Sequence, residues 1–275
     1  MRGTSQYTFN LLQNFPKAVL IIDVRPIDSY DVIHLTRSVN LPYDANYPPS
    51  LTVDSLKPFV RGDPSLFERR RRCVIVIVYS PPGIAFAREV EFILCKNKCR
   101  EVHLLDVDFD QFAEAYHFVC IREECPKRRL PSCGFPSEIL PFKLYIGDQR
   151  QATDRQVVQT LGISHILNIT KSCRPKFADE GVTYLNVTLD DLETENITAH
   201  FSECYTFIAQ ALTTADNRVL VHCARGVSRS VTIVIMYLMR GLGLEYKEAF
   251  EWVKACREVA CPNEGFVQQL VQIAL

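Results

Sequence analysis

Apolar positions along this chain fall into two kinds of run, and their alternation constrains the fold first. Short, nearly continuous apolar runs read as buried strands: 18–23, 73–79 and 102–105 in the first half, then 139–147, 163–170, 182–189 and 218–223 in the second. Between them, apolar residues recur at helical spacing. Ala85, Phe86, Val90, Phe92 and Ile93 mark a helix after Pro81-Pro82-Gly83, and Asp154 to Leu161 a shorter one. Phe201, Cys204, Tyr205, Ile208, Ala211 and Leu212 line one face of an amphipathic helix that begins near Thr198, and an apolar helix follows Arg229 as far as Met239. Strands alternating with helices predict an α/β chain whose parallel sheets are covered on both faces. From Glu123 to Pro136, charge, prolines and a glycine replace all periodicity, which is linker composition. The expected layout is a first domain over residues 1–122, a linker at 123–137 and a second domain over 138–275.

Composition narrows the partners. A chain of 275 residues with 47% hydrophobic and 23% charged content is long enough for two folded domains and unlike a disordered one. A formal net charge of -1 gives no basic field, so no nucleic acid is expected. No apolar run approaches the ~20 residues of a membrane span. The start, Met1-Arg-Gly-Thr-Ser-Gln-Tyr7, lacks the apolar core of a secretory signal. Eleven cysteines without a Cys-x-x-Cys pair are then expected as free thiols in a reducing compartment, which points to the cytoplasm. Cys95/Cys99 and Cys120/Cys125 have no nearby histidine pairing, so neither a zinc site nor a cofactor is expected.

The chemistry concentrates in Arg218-Val-Leu-Val-His222-Cys223-Ala-Arg-Gly-Val-Ser-Arg229-Ser230. A strand runs into a tight loop opened by a cysteine, and a helix follows. The loop, Ala224, Arg225, Gly226, Val227 and Ser228, has the length to wrap backbone N–H groups around one tetrahedral dianion, with the helix dipole behind it. The same field favours the thiolate of Cys223. Arg229 can close the far side with a planar fork to two phosphate oxygens, and Gly226 permits a positive φ beside a ligand. Ser230 can donate a hydroxyl to the sulfur.

His222, Cys223, Arg229 and Ser230 at these offsets resemble the signature loop, His-Cys-x5-Arg-Ser, of the cysteine-dependent protein phosphatases. Leu144-Tyr-Ile-Gly147, Ile166-Leu-Asn-Ile169, Tyr237-Leu-Met239 and Pro262-Asn263-x-x-Phe266-x-x-Gln269-Leu270 extend the resemblance to the dual-specificity phosphatase domain from about residue 138 onward. That resemblance implies hydrolysis of phosphotyrosine and phosphoserine/threonine through a phosphocysteine, without metal. It also implies a carboxylic acid on the loop after the 182–189 strand to protonate the leaving oxygen. Register from Tyr184 to Asn196 puts Asp191 there, with Asp190 as the alternative. His222 is expected to order the loop and support the thiolate by hydrogen bonding, and Asn263 to brace the loop from a distance. Arg225 is expected to face solvent, the alternative being contact with substrate.

The first half, with Asp23-Val-Arg25, His34-x5-Asn40-Leu-Pro42, a strand ending at Tyr79 and Phe109-x-x-Phe112, is similar to a rhodanese-like domain. Where such a domain carries its nucleophile this chain has Ser80 followed by two prolines, which offer no N–H groups for an anion cradle, and Asp106-Val-Asp108 replaces a glycine pair. Sulfur transfer is not expected. The pairing of the two domains resembles the MAP kinase phosphatases. Their kinase-docking arginines follow the Asn-x-Pro region, whereas Tyr43 to Ser50 contains no basic residue here, which argues against kinase docking. Arg69-Arg70-Arg71-Arg72 lies elsewhere, either a solvated strand entry or a patch for an acidic partner. Details after Phe135 and around Trp252 are most similar to a branch of MAP kinase phosphatase relatives regarded as pseudophosphatases because the His-Cys pair is lost. Here the pair is present. The partner implied is a phosphoprotein, as substrate or as ligand of a scaffold with little turnover. That branch also implies stress-granule or mitochondrial regulatory partners and, as an alternative address, a mitochondrial or nuclear pool.

Overall fold

The computed structural model describes residues 5–15, 18–105, 107–124 and 130–272 and divides into two compact units, Met1–Leu130 and Pro131–Leu275. Asp106, Cys125 and the Pro126–Arg129 stretch of the expected linker lie outside the described residues. No helix among the described residues is long and apolar enough to cross a membrane.

The first unit holds β1 (Val19–Asp23), β2 (Ile33–Leu35), β3 (Ser38–Asn40), β4 (Val74–Val78), β5 (Glu101–Leu104) and β6 (Cys120–Arg122). A parallel sheet runs in the order β3-β1-β4-β5, and every residue of β1 and β4 is buried, as central strands covered on both faces require. The strands β3, β2 and β6 are three residues each, too short to show alternation, and the hydrophobic pattern did not reveal them. Helix Ile84–Lys96 turns Ala87, Val90, Ile93 and Leu94 to the core, while Phe92, counted in its apolar stripe, is 56% exposed. Its ring lies under the Lys96 ammonium at 4.0 Å.

The residues that carry the rhodanese resemblance meet in one buried network. Arg25 forks onto Asp23, with Nε 3.0 Å from Oδ1 and Nη2 2.7 Å from Oδ2, and its guanidinium stacks 3.7 Å over the Phe109 ring. Asn40 Nδ2 donates to the Asp23 and Arg25 carbonyls. Ser80 follows β4 in extended backbone and leads into a single turn, Pro81–Gly83, in which the Gly83 N–H already donates to the Ser80 carbonyl at 2.8 Å. No cradle of free N–H groups forms there. The basic run is divided among local partners. Arg69 donates to Ser65 Oγ, Arg70 to the Val19 carbonyl, and Arg71 pairs with Glu68.

The second unit holds β7 (Ser137–Leu140), β8 (Leu144–Asp148), β9 (His165–Asn168), β10 (Thr183–Asn186) and β11 (Val219–Cys223) in the order β10-β9-β11-β8-β7, parallel except for the antiparallel β7/β8 pair. The single strand expected over 139–147 is therefore a hairpin. Pro141 has no N–H for a ladder, and Phe142 turns at φ 56° with its N–H donating to Glu138 Oε1 at 2.8 Å. Ordered chain also begins before residue 138, since Phe135 is buried and Ser137 opens β7.

Strand β11 lies between β8 and β9, with every residue buried, so the carboxyl end of the central parallel strand falls at Cys223. Crevices at the carboxyl ends of such strands are where open α/β sheets hold ligands. Helix Arg229–Leu242 starts immediately beyond and buries Val231 through Met236 against the sheet and its neighbours.

Candidate active site

Five side chains or backbone groups converge on the Cys223 sulfur, which lies in a residue only 1% exposed. The Gly226 N–H donates to Sγ at 3.2 Å and the Ser230 hydroxyl at 3.3 Å. Burial alone pushes the thiol up, but the Ser230 hydroxyl and the backbone N–H groups of Ser230, Arg225 and Val227 outweigh it, and Cys223 lies below its ordinary value.

The N–H groups point inward because the carbonyls are held from behind. In a trans peptide unit the C=O and the following N–H point in opposite directions. The carbonyls of Ala224, Arg225, Gly226 and Val227 accept, in turn, from Gln149 N (3.4 Å), Arg257 Nη2 (3.5 Å), Arg257 Nε (2.6 Å) and Cys261 N (2.9 Å). The N–H groups of Arg225, Gly226, Val227 and Ser228 are thereby left facing the loop's interior. Gly226 is required at its place. It sits at φ +66°, and a Cβ there would come 2.5 Å from the Gly147 carbonyl oxygen.

Arg229 lies across the loop with its Nη1 donating to the Leu189 carbonyl at 2.8 Å, while its Nε is buried without a hydrogen-bond partner. An orphaned guanidinium N–H beside a cradle of N–H groups fits an oxyanion. Asp191 borders the same space. Its Oδ1 accepts from Ser228 Oγ at 2.6 Å and Asn263 Nδ2 at 2.9 Å, and Oδ2 stands 3.7 Å from Arg229 Nε. Asp190 is turned away into an ion pair with Lys171. The acid loop is held by the last helix. Gln269 Oε1 accepts from Ile197 N and Gln269 Nε2 donates to the Glu195 carbonyl, and Gly265 packs so close that a Cβ would collide with the Glu193 carbonyl.

Two expectations need correction. The hydrogen bonds to Sγ come from Gly226 and Ser230 rather than from His222. The His222 ring is buried with Nδ1 unpartnered and interacts with the Cys223 backbone, and burial pushes it down to about 4, so it is neutral. Asn263 does not act from a distance. It touches Asp191 directly, its N–H donates to Ser228 Oγ at 3.1 Å, and its Oδ1 accepts from Phe266 N at 2.9 Å to open the last helix. Ala224 and Arg225 are exposed, with the Arg225 side chain outside the cradle's hydrogen bonds. Arg257 was not anticipated. An arginine ending an amphipathic helix reads as a surface charge complementing the helix dipole, and nothing local distinguishes it. Among the described residues no group of three His, Cys, Asp or Glu side chains could hold a metal ion.

Residues 144–274 match the dual specificity phosphatase catalytic domain family. Dual specificity protein phosphatase 1B of Arabidopsis thaliana is 40% identical over 129 residues, which cover 47% of this chain and 76% of that protein. The chain is a dual-specificity phosphatase family member. Similarity over nearly the whole length comes from a "Probable rhodanese domain-containing dual specificity protein phosphatase" of Dictyostelium discoideum, 28% identical over 97% of this chain and 67% of that one. In this chain the family domain is preceded by a rhodanese-like unit. Among solved structures, the human tyrosine phosphatase-like serine/threonine/tyrosine-interacting protein is 34% identical and aligns with 50% of this chain and 95% of its own, at a TM-score of 0.47.

Proposed function

We propose that the second unit of this dual-specificity phosphatase family member hydrolyses phosphotyrosine and phosphoserine/threonine on proteins. The observation that carries the reading is a thiol held below its ordinary value at the focus of inward N–H groups. The phosphoryl group occupies the cradle, its oxygens bound by the loop N–H groups and by the Arg229 guanidinium, whose Nε makes no other hydrogen bond. The Cys223 thiolate attacks phosphorus, an S–P bond forms, and the ester P–O bond breaks. Asp191, at the rim, gives its proton to the departing oxygen and then accepts one from the water that cleaves the phosphocysteine. Ser230, donating to the sulfur, stabilises the thiolate that leaves in this second step. His222, neutral and buried, transfers no proton.

A second reading has one observation in its favour. Asp191 Oδ1 already accepts two hydrogen bonds, so a phosphoprotein-holding module that turns over poorly is consistent with an acid engaged at rest. Hydrolysis of a small aryl phosphate by the purified chain, beside Cys223→Ser and Asp191→Asn, separates the two. The enzyme reading expects no turnover from the first variant and a loss of about 10²-fold or more from the second. A folded wild type no faster than Cys223→Ser leaves only the holding module.

A further inference from the structure

We propose that Arg257 is a positioning residue for Cys223: its buried guanidinium holds two consecutive loop carbonyls away from the anion and stands as a fixed positive charge behind the thiolate. The inference rests on reading Cys223 as a nucleophilic thiolate, and it concerns a residue that touches neither substrate nor sulfur.

The contacts are specific to a guanidinium. Nε donates to the Gly226 carbonyl at 2.6 Å, Nη2 to the Arg225 carbonyl at 3.5 Å and Nη1 to Ser137 Oγ at 3.0 Å, in a residue 9% exposed. Because each peptide plane is rigid, holding those carbonyls aims the Gly226 and Val227 N–H groups at the sulfur. Both groups act on the thiol, Gly226 at 3.2 Å and Val227 through its backbone. The third arm reaches Ser137 on β7, so the loop is tied to the antiparallel edge of the sheet. A single ammonium cannot span all three acceptors.

The guanidinium also acts through its charge. Among the described residues Arg257 forms no ion pair with a carboxylate, although Asp148 and Cys223 both act on it electrostatically. Burial works against the guanidinium, and those two groups work for it. A buried cation without a bonded carboxylate is costly unless nearby anions compensate it. The thiolate is one such anion, and the stabilisation is mutual.

The test uses the full chain with Arg257→Gln and Arg257→Lys and needs no turnover. Iodoacetamide alkylation of the Cys223 peptide, followed by mass spectrometry, reports the thiolate fraction, and orthovanadate titration reports the cradle. Arg257→Gln is expected to move the midpoint of the alkylation-rate profile up by about one pH unit, a tenfold change in thiol acidity, with the plateau rate at high pH almost unchanged. Its vanadate affinity falls by a similar factor. Arg257→Lys keeps the charge and loses the fork, so it recovers part of the alkylation profile but not vanadate binding. Wild-type profiles for both readouts in Arg257→Gln overturn the proposal. Should that variant fail to fold, wild-type vanadate affinity in Arg257→Lys overturns it, and the expected split supports it. A chain with no phosphatase activity would still give these readouts, so failure of the functional reading is distinguishable from failure here.

Discussion

His222 couples the stability of the second unit to pH, and the size of the effect follows from its burial. The ring is 1% exposed, Nδ1 has no partner, and burial carries the group from 6.5 down to about 4. The unfolded chain therefore binds a proton at His222 between those values that the folded chain refuses. Stability rises with pH wherever the unfolded state holds more protons, so the neutral-ring contribution is whole above pH 6.5 and is lost as pH falls toward 4. The full loss is about 3 kcal/mol, and about 2 kcal/mol of it has occurred by pH 5. Against a typical domain stability of about 5–15 kcal/mol that is a large share. The assay is urea unfolding of the wild type and His222→Gln at several pH values. Trp252, the single tryptophan of the chain, lies in the second unit with its Nε1–H donating to the Ile139 carbonyl at 3.1 Å, so its fluorescence reports that unit alone. Between pH 7.5 and 5 the wild type should lose about 2 kcal/mol relative to His222→Gln. Parallel stability curves over that range would show an ordinary, solvated imidazole and refute the reasoning.

Ser230→Ala removes a hydroxyl that donates to the sulfur at 3.3 Å. A hydrogen bond to a charged group contributes about 1.5–3 kcal/mol, so the midpoint of the Cys223 alkylation-rate profile should move up by about one pH unit or more. Rapid-mixing measurements with an aryl phosphate should also show a burst, because the phosphocysteine then breaks down more slowly than it forms. Gly226→Ala puts a Cβ 2.5 Å from the Gly147 carbonyl oxygen at φ +66°, so vanadate binding should weaken by about 10²-fold or more. A variant with wild-type vanadate affinity would show that the loop yields without losing its shape. Asn263→Ala removes one donor from Asp191 and the acceptor for Phe266 N. It should cost about 1 kcal/mol in unfolding measurements, as loss of an N-cap does, and change kcat less than Asp191→Asn. Ser80→Cys in the first unit should transfer no sulfur from thiosulfate to cyanide, since Pro81 and Pro82 supply no N–H groups to stabilise a persulfide.

What the residues disclosed in advance depended on how far apart the interacting groups lie. His222, Cys223, Gly226, Arg229 and Ser230 work within one turn of loop and helix, so their offsets alone carried the chemistry. Asp191 could be assigned only by counting from Tyr184 along a resemblance, because the groups it meets, Ser228 and Asn263, lie 37 and 72 residues away. Arg257 reaches Gly226 across 31 residues and Ser137 across 120, and no periodicity records either contact. The hairpin at Pro141 was hidden because its apolar residues run on through the turn, and the reversal shows in the antiparallel β7/β8 pairing and the positive φ of Phe142. In the first unit the long buried strands were visible as apolar blocks, while Phe92 misled because helical spacing cannot distinguish a core face from an exposed aromatic that lies under a lysine ammonium.

The four carbonyls fastened behind the signature loop bear on how this protein recognises its ligands. Their fasteners are three residues outside the loop, Gln149, Arg257 and Cys261, so the loop loses its conformational freedom when that unit folds and not when an anion arrives. Oxyanion association should therefore proceed with little ordering of the chain, and its selectivity should follow the size and geometry of the anion rather than the loop's capacity to adapt. A planar anion of equal charge would leave part of the N–H array unmatched. A tetrahedral one would satisfy it as it stands.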